Sequence, residues 1–72
     1  MYIINQRIKL LRKEKHVTQK QLADIIGVQE VSFQRYEYGT ARPSLDKLIA
    51  LADYFNVSLD YLVGRSDNPK RI

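Results

Sequence analysis

The side chains best suited to chemistry in this 72-residue chain lie between Glu30 and Tyr38. Written as a helix, that stretch puts Phe33 and Tyr36 on one face at a spacing of three, and Glu30, Val31, Ser32, Gln34, Arg35 and Tyr38 on the other. A short helix with one apolar edge and a polar, hydrogen-bonding outer face suits insertion into a groove. Its chemistry is recognition rather than turnover. His16 is the one histidine, with no acid or nucleophile at a motif spacing and no second histidine or cysteine to share a metal. Ser32, Ser44, Ser58 and Ser66 are better explained by groove contact, helix caps and a loop. Neither an enzyme, a cofactor nor a metal site is expected.

The elements that must position this face begin at Thr18. Thr18 can cap a helix, and Gln21 three residues later can reach back, which is a capping box. Leu22, Ala23 and Ile26 then fall on one side of that helix. Gly27 stands where a left-handed stop is needed, Val28 is the apolar plug of the turn, and the second helix spans roughly Glu30 to Tyr38 before Gly39 ends it. Two short helices separated by one tight turn make a helix-turn-helix arrangement.

Composition narrows the classes. Seventy-two residues make one domain with a small core, on the order of 3–5 kcal/mol of net stability. There is no cysteine, so no disulfide, thiolate zinc site or thiol nucleophile. The longest apolar run, Leu48 to Ala52, is far below the ~20 residues that span a bilayer. Arg7 and Lys9 interrupt the apolar residues of Met1 to Leu11, against a signal peptide, so a soluble, cytoplasmic chain is expected. Net charge is +4, and six of the twelve basic residues lie in the first twenty positions against one acid, Glu14. That excess either favours a polyanion partner through counterion release or is an ordinary basic surface.

Elsewhere the apolar pattern has the helical period. Helix 1 is expected to follow a lead-in over Met1 to Asn5 and to run to about Lys15, with Ile4, Ile8 and Leu11 as its stripe. Ile3 and Leu10 form a weaker stripe that a lone domain leaves partly exposed, and His16 terminates the helix. After a loop over Thr40 to Pro43, Ser44 caps helix 4. Its buried face is expected to be Leu45, Leu48, Ala52 and Phe55, broadened by Ile49 and Leu51. Asn56 is a left-handed stop, Val57 a plug, and Ser58 the cap of a final helix closed by Leu59, Leu62 and Val63 and ended by Gly64. No alternating strand pattern is sustained, so five helices and an all-α fold are expected.

Leu-Arg-Lys-Glu-Lys (11–15), Thr-Gln-Lys-Gln-Leu-Ala (18–23), Gly-Val (27–28), Tyr-Glu-Tyr-Gly (36–39) and Pro-Ser-Leu (43–45) resemble the Xre/Cro-type, phage-repressor-like DNA-binding domain. Leu-Ile-Ala-Leu-Ala (48–52) and Val-Ser-Leu-Asp-Tyr-Leu-Val-Gly (57–64) extend the resemblance to about residues 4–64. It implies a compact five-helix DNA-binding domain over 1–64, with the helix-turn-helix at helices 2 and 3, and a tail or the start of a linker over 65–72. The implied function is a sequence-specific regulator of transcription, foremost a repressor, whose helix 3 reads the major groove of an operator.

Carried over by position, the base-edge residues are Gln29, Glu30, Val31, Ser32 and Arg35. Arg35 can give two donors to guanine O6 and N7, and Val31 can meet a thymine methyl. Gln29 either pairs with an adenine edge or stacks on a neighbour to orient it. Glu30 either accepts from a cytosine amino group or complements the positive end of helix 3. Backbone contacts are expected from Thr18, Gln19, Gln34, Tyr38, Thr40 and Arg42, with a simple surface role as the alternative for Arg42. Tyr38 and His16 depart from the family, which often has asparagine and usually glycine there. The resemblance also implies a partly buried salt bridge between Arg12 and Glu37, the competing view giving Arg12 to a phosphate.

One such helix reads only a few base pairs, so a homodimer on two half-sites is expected, joined by a C-terminal patch of Leu51, Tyr54, Tyr61 and Val63. The reading from a different class is an interaction module, such as an antitoxin-like subunit whose main partner is a protein.

Overall fold

The structure, a computed structural model, describes residues 3–71. Met1 and Tyr2 of the expected lead-in, and Ile72 of the expected tail, lie outside the described residues. Five α-helices follow in order: α1 (Ile4–Glu14), α2 (Gln19–Ile26), α3 (Glu30–Tyr38), α4 (Leu45–Phe55) and α5 (Leu59–Leu62). No strand occurs among the described residues.

The helix boundaries follow from local chemistry. Thr18 Oγ1 accepts from Gln21 N at 3.0 Å while Gln21 Oε1 accepts from Thr18 N at 2.8 Å, a closed capping box. Ser44 and Ser58 accept from the N–H groups of Lys47 and Tyr61 to start α4 and α5. Gly27 ends α2 at φ +79°, and its N–H returns to Ala23 O. His16 (φ +58°) and Asn56 (φ +56°) hold the same left-handed conformation without being glycine. Helix α1 starts at Ile4, inside the stretch expected as lead-in.

The core gathers Ile8 and Leu11 of α1, Leu22, Ala23 and Ile26 of α2, Phe33 of α3, Leu51, Ala52 and Phe55 of α4, Val57, and Leu62 of α5. Tyr36 is half-buried rather than sealed, its ring edge-on to Phe33 with centroids 6.2 Å apart.

Two expectations about α4 need correction. Leu45 and Ile49 were expected on its buried face, yet they are 63% and 43% exposed. The wholly buried residue is Leu51, so it cannot offer a surface to a second chain. Apolar residues occupy more than half the circumference of α4, so periodicity alone does not choose the inward side. Its C-terminal half lies in the core, whereas its first turns meet the end of α2 through Lys47 Nζ, which donates to Ile26 O at 3.0 Å.

Residues 65–71, expected as a frayed tail or linker start, fold back on the helices. Arg7 Nη1 donates to Tyr61 O at 2.6 Å and Ser66 O at 2.7 Å, and its Nη2 meets Asp67 Oδ1 at 2.8 Å. The Arg7 guanidinium carbon also lies 4.0 Å from the centre of the Tyr61 ring. Ser58 N donates to Pro69 O at 2.9 Å, and Arg71 reaches Ala52 O and Asp53.

Candidate nucleic-acid interface

Helix α3 is seated by two buried residues one turn apart, Phe33 and Glu37. With those inward, Val31, Arg35 and Tyr38 form an exposed ridge at spacings of four and three. Val31 is 47% and Tyr38 69% exposed, large apolar surfaces that packing does not account for. Glu30 is exposed at the start of the helix, and Ser32 and Gln34 flank the ridge, each half-buried. Gln29 is the exposed N-cap, yet its side chain makes no capping bond. Arg35 is exposed and, among the described residues, in no ion pair. Its carbonyl accepts from Gly39, Thr40 and Ala41 N–H, which fixes the loop carrying Thr40 and Arg42 against the end of α3. Arg42 is exposed and Pro43 behind it is buried.

Behind the ridge, Arg12 Nε donates to Glu37 Oε2 at 2.6 Å and Arg12 Nη2 to Oε1 at 3.2 Å. A third guanidinium nitrogen, Nη1, donates to Val17 O at 2.9 Å. The fork thus pins α1, the α1–α2 loop and α3 in one relation. Gln19, expected on a phosphate, is half-buried, with one amide hydrogen bond, Nε2 to Glu37 Oε1 at 2.9 Å. Thr18 is exposed, its hydroxyl engaged in the capping box.

The structure thus leaves Gln29, Glu30, Val31, Arg35 and Tyr38 all exposed, and joins Arg12 and Gln19 to the buried Glu37. The Gln19 contact has no signal in the sequence, because its partner is 18 residues away on another helix. Arg7 had one: its place among Ile4, Ile8 and Leu11 puts a charge on the inward stripe of α1. A cleft of about 590 Å³ opens elsewhere, over Leu11, Phe55 and Val57, and none of the α3 residues lines it. Among the described residues no three His, Cys, Asp or Glu side chains stand together to hold a metal ion, and no helix is long and apolar enough to cross a membrane.

Residues 8–62 match the family model described as helix-turn-helix. The chain is 44% identical over 64 residues to the HTH-type transcriptional regulator YobD of Bacillus subtilis, covering 89% of this chain and 57% of YobD. It is 39% identical over 62 residues to the cryptic phage CTXphi transcriptional repressor RstR of Vibrio cholerae, covering 86% of this chain and 55% of RstR. The chain thus spans little more than half the length of these relatives. Among solved structures, the P22 c2 repressor in complex with a synthetic operator superposes with a TM-score of 0.83 at 27% identity, covering 92% of this chain and all of that one. The fold, the matched span and these identities place the chain in the helix-turn-helix family, as a domain of the Xre/Cro, phage-repressor-like type.

Proposed function

We propose that this chain is the DNA-binding part of a transcriptional repressor, and that α3 lies in the major groove of duplex DNA. The observation that carries this is the exposed Val31–Arg35–Tyr38 ridge, held outward by Phe33 and Glu37 in the core, on a helix whose exposed N-cap glutamine caps nothing. Support comes from the sequence likeness to the repressor RstR and from the operator-bound P22 c2 repressor, whose fold superposes on this one.

In this reading Arg35 donates to guanine O6 and N7, Val31 covers a thymine methyl, and Gln29, Glu30 and Ser32 meet neighbouring base edges. Thr18, Gln19, Gln34, Tyr38, Thr40 and Arg42 set the register on the phosphates. Binding to duplex DNA puts the protein in a compartment that holds it, the cytoplasm. A second copy is joined through the half-buried Tyr54, Tyr61 and Val63, and two copies related by a two-fold axis read two half-sites.

Titrating salt against a duplex recovered by binding selection from a random pool tests the core of this. Affinity falls linearly in log–log form with a slope near −0.9 per phosphate neutralised. An affinity indifferent to salt, or equal for selected and scrambled duplexes, would remove the groove-reading role.

A further inference from the structure

Three helices meet at one carboxylate. Glu37 accepts from Arg12 at both oxygens and from Gln19 Nε2 at Oε1, with its side chain 1% exposed. Water does not compete at that depth. A carboxylate only accepts, so the Gln19 amide must present its nitrogen and not its oxygen to Glu37. That nitrogen carries two hydrogens in one plane, and holding the first on Glu37 sets the direction of the second. Gln19 is also the first residue of α2. There the capping box uses the N–H groups of Thr18 and Gln21 and leaves those of Gln19 and Lys20. One half-buried side chain is therefore fastened to a buried anion at a helix end whose backbone donors suit an outer one.

We propose that Glu37, neutralised by Arg12, is a positioning residue for the grip on the DNA backbone: it holds the Gln19 amide so that its second N–H, together with the backbone N–H groups of Gln19 and Lys20, meets one phosphate. This rests on the DNA-binding role proposed above and adds to it a coupling between base reading and backbone grip. Glu37 belongs to α3 and Gln19 to α2, so the angle between the reading ridge and the phosphate donors passes through one carboxylate. An untethered glutamine would lose its rotamer freedom on binding DNA, whereas here folding has already removed it.

A double-mutant cycle on a duplex recovered from a random pool tests this. Gln19→Met keeps the shape and removes the donors. Glu37→Asp keeps a charge for Arg12 and withdraws the carboxylate from Gln19 by one methylene. Circular-dichroism melts set the folded fraction of each variant before affinities are compared. Each single change is expected to weaken binding about 10-fold, and the double change also about 10-fold rather than about 100-fold. Gln19→Met leaves the slope of log K on log[salt] unchanged, since no charge is lost. Equal losses from Glu37→Asp with and without Gln19 would assign Glu37 a purely structural role and overturn the proposal. Absence of duplex binding by the unmodified protein would instead remove the DNA-binding role and this coupling with it. If Glu37→Asp does not fold, the side-chain amide resonances of Gln19 decide. One proton shifted by the carboxylate and a second that moves on adding duplex sustain the proposal, and a pair that stays unmoved overturns it.

Discussion

Arg12 and Glu37 are an ion pair whose loss leaves an uncompensated charge in the interior. Arg12→Met leaves Glu37, 1% exposed, with the Gln19 amide as its one remaining side-chain donor among the described residues. Breaking a buried pair from one side costs about 3–5 kcal/mol, which equals the net stability of roughly 3–5 kcal/mol that so short a chain can hold. Arg12→Met is therefore expected to be close to its unfolding midpoint at room temperature, with a large loss of helical signal by far-ultraviolet circular dichroism. A melting temperature near that of the unmodified chain would show the pair to be unimportant. On the outer face the arginines separate by what they meet. Arg35→Ala is expected to cost about 1–3 kcal/mol on the preferred duplex and to flatten preference at one base pair. Arg42→Ala is expected to weaken all duplexes alike and to reduce the salt slope by about 1. Equal behaviour of the two in a binding-selection assay would dissolve that division of roles.

Where the helices end, stability depends on backbone conformation. His16 holds φ +58° with a Cβ in place. The left-handed conformation costs a non-glycine residue roughly 1–2 kcal/mol, and the entropy of a glycine in the unfolded chain takes back about 0.5–1. His16→Gly is accordingly expected to stabilise by about 0.5–1 kcal/mol, read as a rise of several degrees in the thermal midpoint. Gly27 and Gly64 respond in the opposite sense and unequally. A Cβ on Gly27 would meet Lys47 Nζ at an ordinary 3.5 Å, so Gly27→Ala pays chiefly for its φ of +79°. A Cβ on Gly64 would collide with Cγ2 of Ile3, a stiff β-branched side chain, in addition to its φ of +87°. Gly64→Ala is expected to lower the thermal midpoint more than Gly27→Ala, and the reverse order would place the close approach elsewhere.

At the scale of the molecule, Arg7 closes the chain on itself. Its guanidinium serves the Tyr61 carbonyl of α5 and, on the segment that follows, the Ser66 carbonyl and the Asp67 carboxylate. Arg7→Ala is expected to cost about 1–3 kcal/mol through lost charge-assisted bonds and to speed trypsin cleavage after Arg65, followed by mass spectrometry. Cleavage as slow as in the unmodified chain would mean that Ser58–Pro69 and Arg71–Asp53 hold the segment without it. Sedimentation tests the proposed homodimer. Tyr54, Tyr61 and Val63 are half-buried and Leu51 is sealed, so a surviving patch is small and association is expected to strengthen with operator present. A monomer at high micromolar concentration with and without operator would remove it.

What the sequence settled by itself is local: where α2, α3 and α4 start and stop, which residues form the turn between α2 and α3, and which face of α3 is polar. Those features arise from contacts within three or four residues, such as the Thr18–Gln21 box, the Ser44 and Ser58 caps and the left-handed stops at His16, Gly27 and Asn56. Family resemblance carried one step further, to Arg12 and Glu37, 25 residues apart. Only the tertiary structure decided that α4 turns Leu51 inward and Leu45 outward, that Arg7 holds Ser66 and Asp67, 59 and 60 residues away, and that Gln19 faces Glu37. The helical period states which side chains share a face. Which face is dry depends on where other helices lie, and that is set by packing around the whole core.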